Sequence, residues 1–307
     1  MDWTLLVIQT LNGLQLGVLL FLLAAGLTLV FGIMDFINLA HGSLYMVGAF
    51  FCATVASLTG SFLLGVLAAL PLTFAVGLAV ELVVVRRLYA RDHLDHVLAT
   101  FGLILFFDAA TQLIWGPEGI AISLPGFLDG RVSLGPGIEF PTYRLVIILV
   151  GLAVAAGLAY VVGATRIGML IRAGASNRRM LGALGVDVNR LFTVVFATGA
   201  TLAGLAGLMM APITGAYVGM GNNILIVALV VIIIGGIGSV RGAFIAALVI
   251  GMIDTMGRAF LDSAMKLVLS AQNAETAAPA LSAMLIYILM AGILAVRPRG
   301  LFAPKGR

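Results

Sequence analysis

Leu27–Phe50 reads LTLVFGIMDFINLAHGSLYMVGAF. An apolar run meets a polar interruption, Asp35 and then Asn38-Leu39-Ala40-His41-Gly42-Ser43, and a second apolar run follows. An unpaired polar group in hydrocarbon costs several kcal/mol. Asn38, His41 and Ser43 therefore need partners inside protein, or a wet cavity. Two compatible readings follow. One is a capping turn, with Asn38 as N-cap of the next helix and Gly32 and Gly42 allowing close packing. The other is a broken helix, the kind of place where transporters put a site.

Outward from this stretch the whole chain is apolar. Of 307 residues, 62% are hydrophobic and 10% charged, and the mean hydropathy is +1.18. An ordinary soluble domain has roughly 45–50% apolar and about 25% charged residues. The surrounding solvent must be lipid. A soluble enzyme, a nucleic-acid binder and a disordered chain are excluded. The net charge of +4 then reflects basic loops on one side of a membrane rather than a nucleic-acid surface. The lone Cys52 excludes an internal disulfide and reads as a small packing residue. The first basic side chain is Arg86, so the apolar start lacks the basic region of a cleaved signal and reads as a retained membrane segment.

A spanning helix needs about 20 mostly apolar residues. Runs of that kind cover 5–31, 36–58, 62–85, 96–116, 144–164, 191–212, 223–240, 243–261 and 280–297. The expected fold is all-α: a polytopic bundle of about 8–9 crossings forming one transmembrane domain over 1–307, with room for broken or re-entrant segments. All but four of the 17 Lys and Arg fall in 86–95, 165–190, 238–242 and the tail 297–307, which alternate onto one side. The exceptions are Arg131, Arg144, Arg258 and Lys266. The positive-inside rule puts the basic side and the C-terminus in the cytoplasm. The outer loop 117–143, with Pro117, Pro125, Pro136 and Pro141, reads either as a compact surface loop or as a docking face for a soluble partner. The segment 262–280 reads as a second outer loop. Val230–Gly251 matches Leu27–Phe50 weakly, each being an apolar run, a Gly-interrupted turn and a small-residue run. Such paired breaks point to a transport site when they reflect a duplication.

Ionisable residues inside apolar runs are functional candidates by default. Glu81 lies near Arg86 and Arg87, close to an interface. Asp254 and Arg258 are spaced i, i+4, as an ion pair on one helix face would be. Asp108, within FGLILFFDAATQLIWG, has no local partner and is expected to face the bundle interior. In the loop RIGMLIRAGASNRRMLGALGVDVNR (166–190), Ser176 or Asn177 could cap a short helix carrying Met180, Leu181 and Leu184 and stopping at Gly185. Such a helix lies on lipid or docks into a groove of a soluble partner. His93 and His96 read as part of a solvated loop rather than a metal site. Neither lysine, Lys266 or Lys305, precedes Ser or Thr, so no Walker A sequence exists. No zinc-protease or serine-nucleophile motif is present either. No catalytic residue, cofactor or metal is expected.

The quoted stretch resembles the signature segment of LivH-type inner-membrane permeases of branched-chain amino acid ABC importers. The resemblance continues through LATFGLILFF (98–107), IGMLIRAGASNRRMLGALGVDVNRLFTVVFATGATLAGLAG (167–207) and IIIGGIGSVRGAFIAALVIGMID (232–254). It implies a multi-pass bacterial inner-membrane subunit that is not itself an enzyme. It would pair with a second, LivM-like permease. Two ATP-binding subunits would sit on the cytoplasmic face, and a periplasmic substrate-binding protein would deliver an amino acid. ATP chemistry would then belong to another chain, and the cycle would be alternating access. The resemblance implies that Arg172–Gly185 inserts into an ATPase groove, with Ala173, Asn177 and Gly185 on the family pattern and Arg172, Leu181 and Leu184 beside them. Asn38, His41, Gly42, Ser43 and Asp108 become substrate-path candidates. The alternative is a self-contained ion- or proton-coupled carrier or channel.

Overall fold

The computed structural model describes residues 3–135, 137–267 and 269–302. Pro136, and Lys305 and Arg307 of the basic tail, lie outside them. The chain is mostly helical: α1 Trp3–Met34, α2 His41–Thr59, α3 Phe62–Val83, α4 His93–Trp115, α5 Thr142–Ala164, α6 Arg166–Ser176, α7 Arg178–Ala183, α8 Val188–Thr214, α9 Met220–Gly235, α10 Val240–Met265 and α11 Ala271–Val296. Each expected span is a helix. Eight are long and apolar enough to cross a membrane, and α9 is the shorter one.

In lipid there is little hydrophobic force between helices, so close approach depends on small residues. α1 and α8 are the enclosed helices, while α4, α5 and α11 are largely peripheral. α10 runs antiparallel to α1. A Cβ on Gly13 would stand 2.7 Å from Met252, and one on Gly32 would stand 2.6 Å from Gly238. Phe21 meets Phe244 edge to face at 5.1 Å between them. α8 is also antiparallel to α1, pairing Gly199 with Gly26.

Two helices begin inside the bundle. After Met34 the chain reverses at Asp35, the one non-glycine residue with positive φ (51°) among those described. It retreats through 35–40 and starts α2 beside the middle of α1, where His41 Nε2 lies 3.1 Å from the Leu23 carbonyl. That point is about three turns, ~16 Å, back along α1. Six residues reach up to ~20 Å, so the segment spans the gap. After Thr214 the chain retreats again through 215–219, and α9 starts with the Gly219 N–H 3.2 Å from Met46 Sδ. The starts of α2 and α9 touch: a Cβ on Gly42 would lie 2.5 Å from the Gly221 carbonyl oxygen. α1–α2 and α8–α9 are therefore an inverted pair, each a helix, a retreat and a helix begun in the interior.

This corrects the sequence similarity, which aligned Leu27–Phe50 with Val230–Gly251. The break after α9 is a tight turn at the bundle end, with Gly236 and Gly238 at positive φ and Ser239 capping α10 through the Gly242 N–H. The likeness of composition reflects small-residue packing. The outer segment 262–280 is likewise mostly helix, because α10 runs to Met265 and α11 starts at Ala271. Lys266 pairs with Asp262 at 2.9 Å and Glu275 at 3.0 Å across that junction. Within 117–143 a hairpin forms from β1 (Arg131–Gly135) and β2 (Ile138–Pro141), and Ile120 bridges Ala216. The end of α1, α6, α7, the turn 236–239 and the tail up to Phe302 gather at one end of the bundle, where Leu301 N–H donates to the Ile234 carbonyl. The hairpin and the start of α1 lie at the other, where Arg144 reaches Asn12 at 2.6 Å.

Candidate functional site

The interior candidates meet where α2 and α9 begin. Asn38, His41 and Ser43 are buried. Both amide atoms of Asn38, His41 Nδ1 and Ser43 Oγ have no hydrogen-bond partner among the described residues. The expected Asn38 cap is not formed: α2 is capped by Ala40 with no side-chain hydrogen bond. Asn38 meets the helix start through its backbone instead, its carbonyl accepting the His41 N–H at 3.4 Å, while its side-chain amide makes no such bond. α9 likewise starts at Gly219 without a side-chain cap. Two helix N-termini, each carrying about half a positive charge, thus lie side by side among buried polar atoms without partners.

Asp108 is half-buried on α4 and accepts from Asn222 Nδ2 at 3.2 Å, while its Oδ1 has no partner. Asn222 lies in the first turn of α9, so Asp108 belongs to the same centre. Asn222 was missed by sequence reasoning. The available signal was the polar pair Asn222-Asn223 between two apolar runs.

The other candidates lie on two short helices, α6 and α7, at the bundle end. Thr165 caps α6 through Gly168 N–H at 3.2 Å, and Asn177 caps α7 through Met180 N–H at 2.9 Å. Gly185, at φ +84°, ends α7, and Asp187 caps α8. Of the two caps the sequence offered, Ser176 and Asn177, the helix uses Asn177, and it ends at Gly185 as expected; α6 was not foreseen. Leu181 points inward, 3.4 Å from where a Cβ on Gly174 would stand, so it seats α7 on the bundle. Met180 and Leu184 stay exposed, as do Ile167 and Met169 on α6. Arg172, Ala173 and Asn177 are exposed too, and Arg172 donates to the Val162 carbonyl. Arg178 donates to the Met34 carbonyl and stands over the Phe192 ring at 5.3 Å.

Behind these two helices sits a buried acid. Glu81 is fully buried and accepts from Arg86 at 3.0 and 3.2 Å, Tyr89 at 2.7 Å and Thr193 at 2.9 Å. Four hydrogen bonds satisfy the carboxylate and tie the end of α3 to the start of α8. Burial, with the bond to Glu81, pushes the Tyr89 phenol above the ordinary tyrosine range and keeps it a donor. The sequence placed Glu81 near Arg86 and Arg87 without choosing between them; Tyr89 and Thr193 were not legible. His93 and His96 correct the expected loop, since they form the first turn of α4. His96 is buried, 2.9 Å from the Leu88 carbonyl and packed at a tilt against Phe36, with 4.5 Å between ring centroids. Among the described residues no three His, Cys, Asp or Glu gather as metal ligands. The Asp254–Arg258 ion pair forms, at 2.9 Å.

The family described as branched-chain amino acid transport system, permease component, matches residues 9–294. The chain belongs to this family. The permease is 31% identical over 262 residues to the high-affinity branched-chain amino acid transport system permease protein BraD of Pseudomonas aeruginosa, covering 81% of this chain and 85% of that one. It is 30% identical over 278 residues to LivH of Escherichia coli strain K12, covering 85% and 89%. A more distant relative is the ribose import permease RbsC of the same organism, 26% identical over 76% of this chain and 72% of that one. No solved structure matches the permease. It is a multi-pass membrane protein, and these relatives are transport permease subunits.

Proposed function

We propose that the chain is one transmembrane permease domain of an ATP-driven importer for leucine, isoleucine, valine or related small amino acids and amides. It pairs with a second, LivM-like permease in the bacterial inner membrane. The basic end and the C-terminus face the cytoplasm, where two ATP-binding subunits grip α6 and α7. A periplasmic binding protein delivers substrate to the hairpin end. The names of BraD and LivH support the substrate class; the likeness to RbsC supports leaving fine selectivity to the binding protein.

One observation carries this reading. The segment from Arg166 to Gly185 leaves apolar side chains exposed on one side, while Arg178 on the other holds Met34. Met34 is the root of the retreat that leads to Asn38 and His41. A push on α6–α7 is thus delivered to the start of α2. ATP binding brings the two ATPase subunits together, the α6–α7 segments move with them, and the interior centre between α2 and α9 changes the face to which it opens. This is a two-state bundle biased by the nucleotide state of another chain.

The test is reconstitution in liposomes with and without the ATPase subunits and binding protein. Leucine uptake is expected only with the complete set and ATP. Uptake by this chain alone, driven by a proton gradient, would make it a self-contained carrier.

A further inference from the structure

Near the hairpin end a cavity of about 330 Å³ opens between α1, α2, α8, α9, α10 and α11, with Tyr45 and Tyr217 among its lining. Leu16, Leu20, Ile224 and Val227 form its apolar wall, and Asp254 and Arg258 also line it. A second cavity of about 380 Å³, lined by Asp262 and Glu275, adjoins it, and Arg258 lines both. Arg258 thus stands between a polar vestibule and an apolar chamber. The Asp254 side chain is 12% exposed and that of Arg258 67%, so the acid faces the chamber and the guanidinium reaches the vestibule.

We propose that Asp254 and Arg258 bind the charged end of a zwitterionic α-amino acid as it passes from vestibule to chamber. The assignment rests on the importer reading for its ligand. The guanidinium donates twice to one carboxylate, through Nε at 2.9 Å and Nη2 at 2.9 Å. A pair whose guanidinium is mostly exposed gains little stability, since solvent screens its attraction. Its partners are exchangeable like for like. The ammonium of an incoming amino acid takes the place of the guanidinium on Asp254. Its carboxylate takes the place of Asp254 on Arg258, with the same fork geometry. Charge stays balanced throughout, and no charge is left unpaired in the apolar wall. The side chain of the ligand then rests against Leu16, Leu20, Ile224 and Val227. The chamber is at the lower end of the range usual for small ligands, about 300–1,000 Å³. A site that needs both charges discriminates strongly against a ligand that lacks one.

The test uses the full chain in phospholipid nanodiscs. Asn223 is exposed and lines the chamber, so Asn223→Cys reports occupancy by its rate of maleimide labelling, with the buried Cys52 of the parent chain as the background. Leucine is expected to slow labelling at least fivefold. 4-Methylpentanoate, which lacks the ammonium, and 3-methylbutylamine, which lacks the carboxylate, should leave the rate unchanged. The double variant Asp254→Leu with Arg258→Met removes both charges without leaving one unpaired, so it should fold and elute as the parent does but lose protection. Protection retained in that variant, or given equally by all three compounds, overturns the proposal. A failure of the importer reading is separate: protection by leucine would persist while uptake proceeded without ATPase subunits. A failure of this site alone would leave ATP-driven leucine uptake by the double variant at the parent rate.

Discussion

Arg178, in the first turn of α7, donates a hydrogen bond to the backbone carbonyl of Met34, the last residue of α1. These residues are far apart in sequence and belong to different parts of the machine. Arg178 sits in the segment exposed at the bundle end. Met34 is where the chain turns back toward the interior. A charged donor on a helix-terminal carbonyl contributes about 1.5–3 kcal/mol, enough to move one element with the other.

Arg178→Ala should therefore uncouple the two. Leucine uptake by the assembled importer is expected to fall at least tenfold while ATP hydrolysis by the associated subunits continues. Equal loss of both would mean that Arg178 only holds the fold.

Leu184 is 74% exposed. Leu184→Glu should leave membrane insertion and thermal stability unchanged, within about 0.5 kcal/mol, yet abolish co-purification with the ATPase subunits. Arg172→Glu should weaken the same association. Gly185→Val tests the αL stop of α7, where a side chain costs roughly 1–2 kcal/mol. It should reduce stimulation of ATP hydrolysis without preventing insertion.

Glu81 anchors the support of α6 and α7. Arg86 is 38% exposed, so breaking the pair should cost less than the roughly 3–5 kcal/mol of a fully buried one. Glu81→Ala is expected to lower the apparent unfolding temperature in detergent, with a loss of about 2 kcal/mol. Thr193→Val should give a smaller shift in the same direction. An unchanged melting curve for Glu81→Ala would remove the network from the account of these helices.

Gly42 faces the Gly221 carbonyl at a distance that no side chain tolerates. Gly42→Val should force α2 and α9 apart, at a cost of at least about 1–3 kcal/mol, and eliminate uptake. Gly102 on α4 has open space around it, so Gly102→Ala serves as the control and should transport normally.

Much of this was legible in the chain itself. Hydropathy over about 20 residues located every long helix, because the lipid requirement acts on each segment separately. The short helix capped at Ser176 or Asn177, the Gly185 stop and the Asp254–Arg258 pair were legible because each depends on residues within one or two turns. Asn38 was misplaced as a cap because its spacing to α2 suits one, and only the reversal at Asp35 shows that the chain is retreating along α1. Asn222 beside Asp108, Thr193 on Glu81 and Arg178 on Met34 join residues more than a hundred positions apart. No local pattern encodes such contacts; they follow from which helices pack together. His96 was read as solvated because HLDH is polar, but its position in the first turn of α4 turns it toward Phe36.

The central claim is that force enters through α7 from an ATP-binding chain. The most direct measurement is site-specific photocrosslinking in cells, with the probe at Leu184 on α7 or at Phe127, 65% exposed at the opposite end. The expected result is an adduct between position 184 and the ATP-binding subunit, with none from position 127. An ATPase adduct at 127, or its absence at 184 in a complex that still transports, would contradict the claim.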